Sequence, residues 1–226
     1  MAPMPDVPPQ QALAPRLVLA SQSPRRAELL REAGFDFEQV APPFDDPATP
    51  ENDGSDARAI VESLALRKAL SEADLRRSAT EPQVILGADT VCCGLSGRLL
   101  GKPHDAREAM EMIRGFLGRE HDVVTGVALV GVGFEPQRGP DVFSVVAPVV
   151  FGELTQGELA AYAQSEGWRG KAGGYNLFDR RAAGWPVWVK PGVDATAVVG
   201  LPMDRLRAEL QKWGVRPREE PRQGKD

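Results

Sequence analysis

Cysteine, histidine and tyrosine are each present only twice in this chain of 226 residues, and aromatic residues make up 6% of it. The two cysteines, Cys92 and Cys93, are adjacent in an apparent strand, where neighbouring side chains point to opposite faces. That excludes a disulfide framework and a cysteine metal site, and it suits a reducing cytoplasm. His104 and His121 have no metal-ligand spacing and read as structural or exposed, so no histidine-based triad is expected. No apolar run approaches the ~20 residues that span a bilayer. A basic region followed by an apolar core is also missing from the N-terminus, so the chain does not read as secretory. The formal charge of -5 argues against broad electrostatic binding to nucleic acid or to anionic membrane.

What remains is one α/β unit with loose ends. Residues 1–15 carry five prolines and read as a disordered tail, and the charged residues 214–226 read as a second one. Between them, strands are predicted at Leu17–Ala20, Val84–Cys93, Asp122–Val132, Val142–Phe151 and Pro186–Lys190. Helices are predicted at Pro24–Ala33, Asp56–Ser78, Asp105–Leu117, Thr155–Ser165 and Pro202–Trp213. Asp105 with Glu108, and Thr155 with Glu158, have capping-box spacing. The alternation predicts an α/β sheet, partly antiparallel around 122–151.

The most informative stretch is Ser21-Gln22-Ser23-Pro24-Arg25-Arg26, between a buried strand and a helix stopped by Gly34. Pro24 suits the first helical position and Ser23 the N-cap. Two arginines in the first turn run against the helix dipole. They form either an anion pocket with the free backbone N–H groups or a solvated helix start. On the second helix, Ala57, Ile60, Val61, Leu64 and Ala65 make an apolar stripe that also contains Lys68. A lysine there either snorkels to solvent or meets an anion in a partly buried site. Asp89 ends the buried run Val84–Ala88 and is either a turn residue or a site residue, since ligand crevices form at strand ends. Asp45 and Asp46 are an adjacent carboxylate pair, read by themselves as a solvated turn. Lys102 and Lys171 are further cations in glycine-containing loops. Gly97–Lys102 is one residue short of a Walker A loop, and Pro103 replaces its hydroxyl residue. Several cations with a few carboxylates suit a polyphosphate and a divalent metal, with one carboxylate orienting or deprotonating water.

Six segments then carry a family resemblance. They are Ser21–Leu30, Gly87-Ala88-Asp89-Thr90-Val91, Gly101-Lys102-Pro103, Gly118–His121 with Val124–Val127, Lys171-Ala172-Gly173-Gly174-Tyr175, and Val198–Met203. In that order they resemble the blocks of the Maf family of nucleotide pyrophosphatases, over about residues 16–213. The resemblance implies an elongated mixed sheet flanked by helices, with two lobes around a cleft, similar to inosine-triphosphate pyrophosphatases. It implies cytoplasmic, Mg²⁺- or Mn²⁺-dependent hydrolysis of nucleoside triphosphates to monophosphate and diphosphate. A housecleaning role against non-standard nucleotides and a homodimer are also implied. Residue by residue, Asp89 matches the general base, and Ser21, Arg25, Arg26, Lys68 and Lys102 match phosphate-binding or catalytic positions. Asp45 and Asp46 fall where relatives carry paired glutamates, which with Asp89 implies a metal role. Arg26 and Thr90 match positions associated with base choice. At the third such position Phe178 replaces a glutamine or glutamate. A phenylalanine stacks on a base but cannot read its edge, so the resemblance leaves the base unassigned. The contrasting expectations are a non-catalytic regulator of septum formation and a phosphatase that releases orthophosphate.

Overall fold

The computed structural model describes residues 14–45, 56–94, 97–134 and 136–218. Five strands and a hairpin arm build one mixed sheet around a long central strand. β1 (Arg16–Ala20) is buried from Leu17 onward, as an all-apolar run between two layers should be. It lies parallel to both β2 (Phe37–Val40) and β3 (Gln83–Cys93). β3 then pairs antiparallel with β5 (Glu120–Val132) along its whole length, and β6 (Asp141–Phe151) and β7 (Val187–Val189) continue the antiparallel half. The order is β2-β1-β3-β5-β6-β7, with the two-residue β4 (Leu99–Leu100) pairing to the end of β3. The mixed α/β class expected from the sequence is the class observed.

One helix covers one face of this sheet and the rest pack on the other. α2 (Ala57–Leu75) buries Ala65, Ala69 and Ala73 against Val18, Ile85, Ala128 and Val130. Opposite lie α1 (Pro24–Glu32), α3 (Ala106–Phe116), α4 (Gln156–Gln164) and α7 (Met203–Lys212), whose apolar faces meet Leu17, Leu19, Leu86, Val127 and Leu129. Trp213, 2% exposed, closes this main core from the end of α7. Small residues bring α2 unusually close to the sheet. A Cβ on Gly87 would stand 2.2 Å from the Ala65 carbonyl, and one on Gly126 2.4 Å from that of Val61. Those two glycines let the helix axis approach β3 and β5 without side chains between.

Several boundaries differ from the sequence expectation. α2 stops at Leu75 rather than Ser78, and Pro186–Lys190 contributes only Val187–Val189 to the sheet. β2, α5 (Leu177–Ala182) and α6 (Ala195–Val199) were not predicted: β2 has Glu38 and Gln39 between its apolar ends, and helices of six and five residues hold too little periodicity to register. Thr155 and Glu158 form the full capping box. Asp105 caps Glu108 N, but the Glu108 carboxylate accepts from His104 N, one residue upstream of the box position. The expected N-terminal tail lies outside the described residues except for Ala14 and Pro15. The C-terminal one needs correction over its described part: Val215 is 5% exposed within the core, and Arg218 N donates to Gly34 O at 2.8 Å. Its apolar anchor outweighs the surrounding charge.

Candidate active site

The first wall of the site is the turn from β1 into α1. Pro24 occupies the first helical position and Ser23 the N-cap, but the Ser23 side chain makes no capping bond. The Ser21 hydroxyl instead ties the turn before the helix, accepting from Ser23 N at 3.3 Å and from Arg26 Nη1 at 3.0 Å. Gln39 on β2 holds the turn from behind, its Nε2 donating to Ser21 O at 2.9 Å. Arg26 reaches across the cleft: Nε donates to Gly200 O at 3.0 Å and Nη2 to Thr90 Oγ1 at 3.3 Å. Gly200 has φ 121°, and a Cβ there would lie 3.1 Å from Arg26 Nε. Arg25 is half-buried beside the Gly170 carbonyl, and burial lowers its pKa against the opposing pull of Asp179.

Asp89 provides the floor. It is not at the end of its own strand, as its place in the sequence suggests, since β3 runs on to Cys93. The strand that ends is β1, whose pairing with β3 stops at Leu86, while β4 resumes the edge only at Cys92. Asp89 therefore sits in the gap past the carboxyl end of β1, where the edge of β3 is uncovered and a crevice forms. Its side chain points to the α2 face and meets Lys68, Nζ to Oδ1 2.6 Å, with the two side chains 7% and 12% exposed. The close approach allowed by Gly87 and Gly126 puts Lys68 within reach. The lysine on the apolar stripe thus meets an anion in a buried site rather than snorkelling. Thr90, next in sequence, points to the other face, towards Arg26.

These residues line a cleft of about 450 Å³. Ser21, Arg25, Arg26, Lys68, Asp89, Thr90 and Lys102 all contribute to its wall, so seven predicted residues from four separate segments converge. Two others do not, and a third is not among the described residues. Asp45 is exposed and outside the lining, and Asp46 lies outside the described residues. Phe178 is 41% exposed on α5 and does not line the cleft, because the Asn176 cap turns the chain outward. Lys171 is likewise absent from the wall, its ammonium held by Asp179 at 2.8 Å. His121 is structural: its Nε2 is 2.8 Å from the Tyr175 hydroxyl, its ring stacks on Phe116, and burial pushes its pKa down to about 3. Sequence reasoning missed Arg169 in the lining and Thr125 behind it. Arg169 carried no motif signal, and Thr125 sits in a matched block but bears no charge.

Among the described residues the lining holds five cationic side chains (Arg25, Arg26, Lys68, Lys102 and Arg169) and one carboxylate, Asp89, which Lys68 neutralises. An excess of cations over carboxylates suits a polyanion of several linked groups, and Phe44, Val123, Tyr175 and Val198 add apolar wall beside them. No cluster of three metal-ligating side chains occurs among the described residues. Mg²⁺ nevertheless needs only one or two carboxylates when substrate phosphates supply other oxygens, and Asp89 meets that requirement.

A mixed α/β sheet with a cation-lined cleft beyond the end of a parallel strand is of the class that places its ligand crevice at strand ends. The model of the Maf-like protein family matches residues 16–213, and the chain belongs to the Maf family. It is 38% identical over 200 residues to the dTTP/UTP pyrophosphatase of Pelotomaculum thermopropionicum, covering 88% of this chain and 96% of that one. It is 35% identical over 201 residues to the dTTP/UTP pyrophosphatase of Bacillus cereus strain AH820, with the same coverage. Among solved structures, a nucleoside-triphosphatase / dITP/XTP pyrophosphatase from Mycobacterium abscessus is similar over 62% of this chain and 75% of that chain, with 19% identity and a TM-score of 0.33. No helix among the described residues is long and apolar enough to cross a membrane.

Proposed function

We propose that the chain is a nucleoside triphosphate pyrophosphatase that cleaves its substrate to nucleoside monophosphate and diphosphate. The observation that carries this reading is the buried Asp89–Lys68 pair on the floor of a cleft whose other charged walls, among the described residues, are all cationic. A carboxylate facing a polyanion works against binding by charge alone. A site for hydrolysis needs one to take a proton from water.

In this mechanism Arg25, Lys102 and Arg169 hold the phosphate chain, and Ser21 and Arg26 set the shape of the adjoining wall. Water attacks the α-phosphorus in line with the bond to the β-phosphate oxygen. That bond breaks, diphosphate leaves with its electron pair, and the Asp89 carboxylate accepts the proton released by the water. Lys68 directs the carboxylate through its charge-assisted bond. Asp89 would be the residue to hold a divalent cation, Mg²⁺ or Mn²⁺, which would supply charge neutralisation when bound. Asp45 and Asp46 stand as its further proposed ligands from the neighbouring segment.

The names of the relatives support dTTP and UTP as substrates. The expectation of non-standard nucleotides rests on the family resemblance alone. Incubation with a nucleotide panel and Mg²⁺ or Mn²⁺, followed by chromatography, tests the whole reading. Monophosphate with diphosphate is the expected product pair. Orthophosphate with nucleoside diphosphate makes the chain a phosphatase, and no turnover of any nucleotide leaves the regulatory reading.

A further inference from the structure

Behind Thr90 lies a buried threonine that no proposed step uses. Thr125 on β5 is fully buried and directly opposite Thr90 in the ladder. Its hydroxyl donates to the carbonyl of Ala197 on α6 at 2.8 Å, and a carbonyl can only accept. A threonine hydroxyl has one proton, so that of Thr125 is committed to Ala197. The 2.9 Å contact between Thr90 Oγ1 and Thr125 Oγ1 is then made by the Thr90 proton. Arg26 Nη2 donates into Thr90 from the other side at 3.3 Å. The chain runs one way, from Arg26 through Thr90 and Thr125 to Ala197.

This polarity has a chemical consequence in the cleft. Thr90 is part of the lining and its proton points inward, so it offers the cleft an acceptor and never a donor. Phosphate oxygens are acceptors too and find no partner there; the cations serve them instead. The group that meets Thr90 must carry an N–H or O–H. We infer that Thr125 is a positioning residue that fixes Thr90 as a hydrogen-bond acceptor for a donor group of the nucleoside. That donor is the base imide N–H or the sugar 3′-hydroxyl, both present in dTTP and UTP. This inference rests on the proposed pyrophosphatase reading and adds to it the residue that sets the sign of one recognition contact.

The test compares paired nucleotides that differ in where their donors stand. CTP replaces the imide N–H of UTP with an acceptor and its 4-carbonyl with an amine, and 2′,3′-dideoxy-TTP removes the 3′-hydroxyl of dTTP. The wild-type chain is expected to prefer UTP over CTP, or dTTP over its dideoxy analogue, by about 10-fold or more in kcat/KM. Thr125→Val removes the inward acceptor, freeing the Thr90 proton to turn outward, and the preferred ratio should fall to within about 3-fold of unity. Thr125→Ser keeps both donor and acceptor and should restore the ratio. Where Val is not tolerated beneath Ala197, Thr125→Cys, a weak donor and acceptor, should give an intermediate ratio. Both ratios unchanged in Thr125→Val or Thr125→Cys, with all rates falling together, would make Thr125 a packing residue and overturn the inference. So would a wild-type chain with neither preference. Calorimetric binding of UMP against CMP, and of dTMP against 3′-deoxy-TMP, reads the same polarity without chemistry. Loss of turnover with the binding preference intact overturns the pyrophosphatase reading alone, whereas equal binding in both pairs overturns this inference.

Discussion

Asp89 and Thr90 are consecutive, yet the pleat sends them to opposite faces of the sheet and into two different chemistries. On the α2 face, Asp89 meets Lys68 in a buried ion pair with charge on both partners. On the α1 and α6 face, Thr90 joins a directed chain from Arg26 to the Ala197 carbonyl through neutral hydroxyls. The first arrangement suits holding and moving a proton beside a phosphate. The second suits reading donor and acceptor positions, which needs fixed direction rather than charge. Both reach one cleft because β1 ends early and uncovers the edge of β3 between them. A single strand thus separates proposed chemistry from proposed recognition by one residue.

The largest expected effect breaks the α2 side alone. Asp89→Asn keeps the shape but removes the basic carboxylate, and loss of a general base is typically worth ~10²–10⁴-fold in rate. Turnover should fall by that factor while the melting temperature and the ratio between nucleotides stay close to wild type. A variant keeping more than about a third of wild-type kcat would remove Asp89 from the role of base.

Next in size is Lys68→Met, which keeps a long side chain on the stripe and takes away the cation. A hydrogen bond to a charged group contributes roughly 1.5–3 kcal/mol. If that interaction serves the reaction, kcat should drop roughly 10- to 100-fold. Methionine fills irregular space, so the fold is expected to survive, as circular dichroism and thermal melting can check. Unchanged turnover would reduce the Lys68–Asp89 pair to a structural contact and leave Asp89 to act without it.

The two sides also differed in how far the sequence disclosed them. Lys68 was visible as a charge on an apolar stripe, and Asp89 as an acid closing an apolar run, because burial of charge conflicts with local pattern. Their meeting was not visible. It depends on Gly87 and Gly126 letting α2 approach the sheet, a fact about two surfaces that neither segment holds alone. The strand-end reading of Asp89 found the crevice through the wrong strand, since pairing and not apolar length decides where an edge is uncovered. On the recognition side almost nothing stood out. Thr125 fits a strand as well as valine does, and only its partners reveal a polarity. The short elements β2, α5 and α6 were likewise silent, although Gln39, Asn176 and the Gly200 turn that follows α6 each help shape the cleft.

The smallest expected effect concerns the position that the family resemblance singled out most sharply. By that resemblance Phe178 takes the place of a glutamine or glutamate, which left the base unassigned. The structure turns that residue outward: Asn176 accepts from Asp179 N at 3.1 Å and starts α5, and Phe178 in its first turn is 41% exposed. Tyr175 and Asn176 line the cleft in its stead. Phe178→Gln is therefore expected to shift the kcat/KM ratios among UTP, dTTP and CTP by less than about 2-fold, as exposed positions usually act. Over the same panel Thr125→Val should move a ratio several times more, although its side chain never meets solvent. A Phe178→Gln chain that gained strong pyrimidine discrimination would place α5 against the base in the loaded enzyme. Recognition would then be shared between that helix and the Thr90 wall.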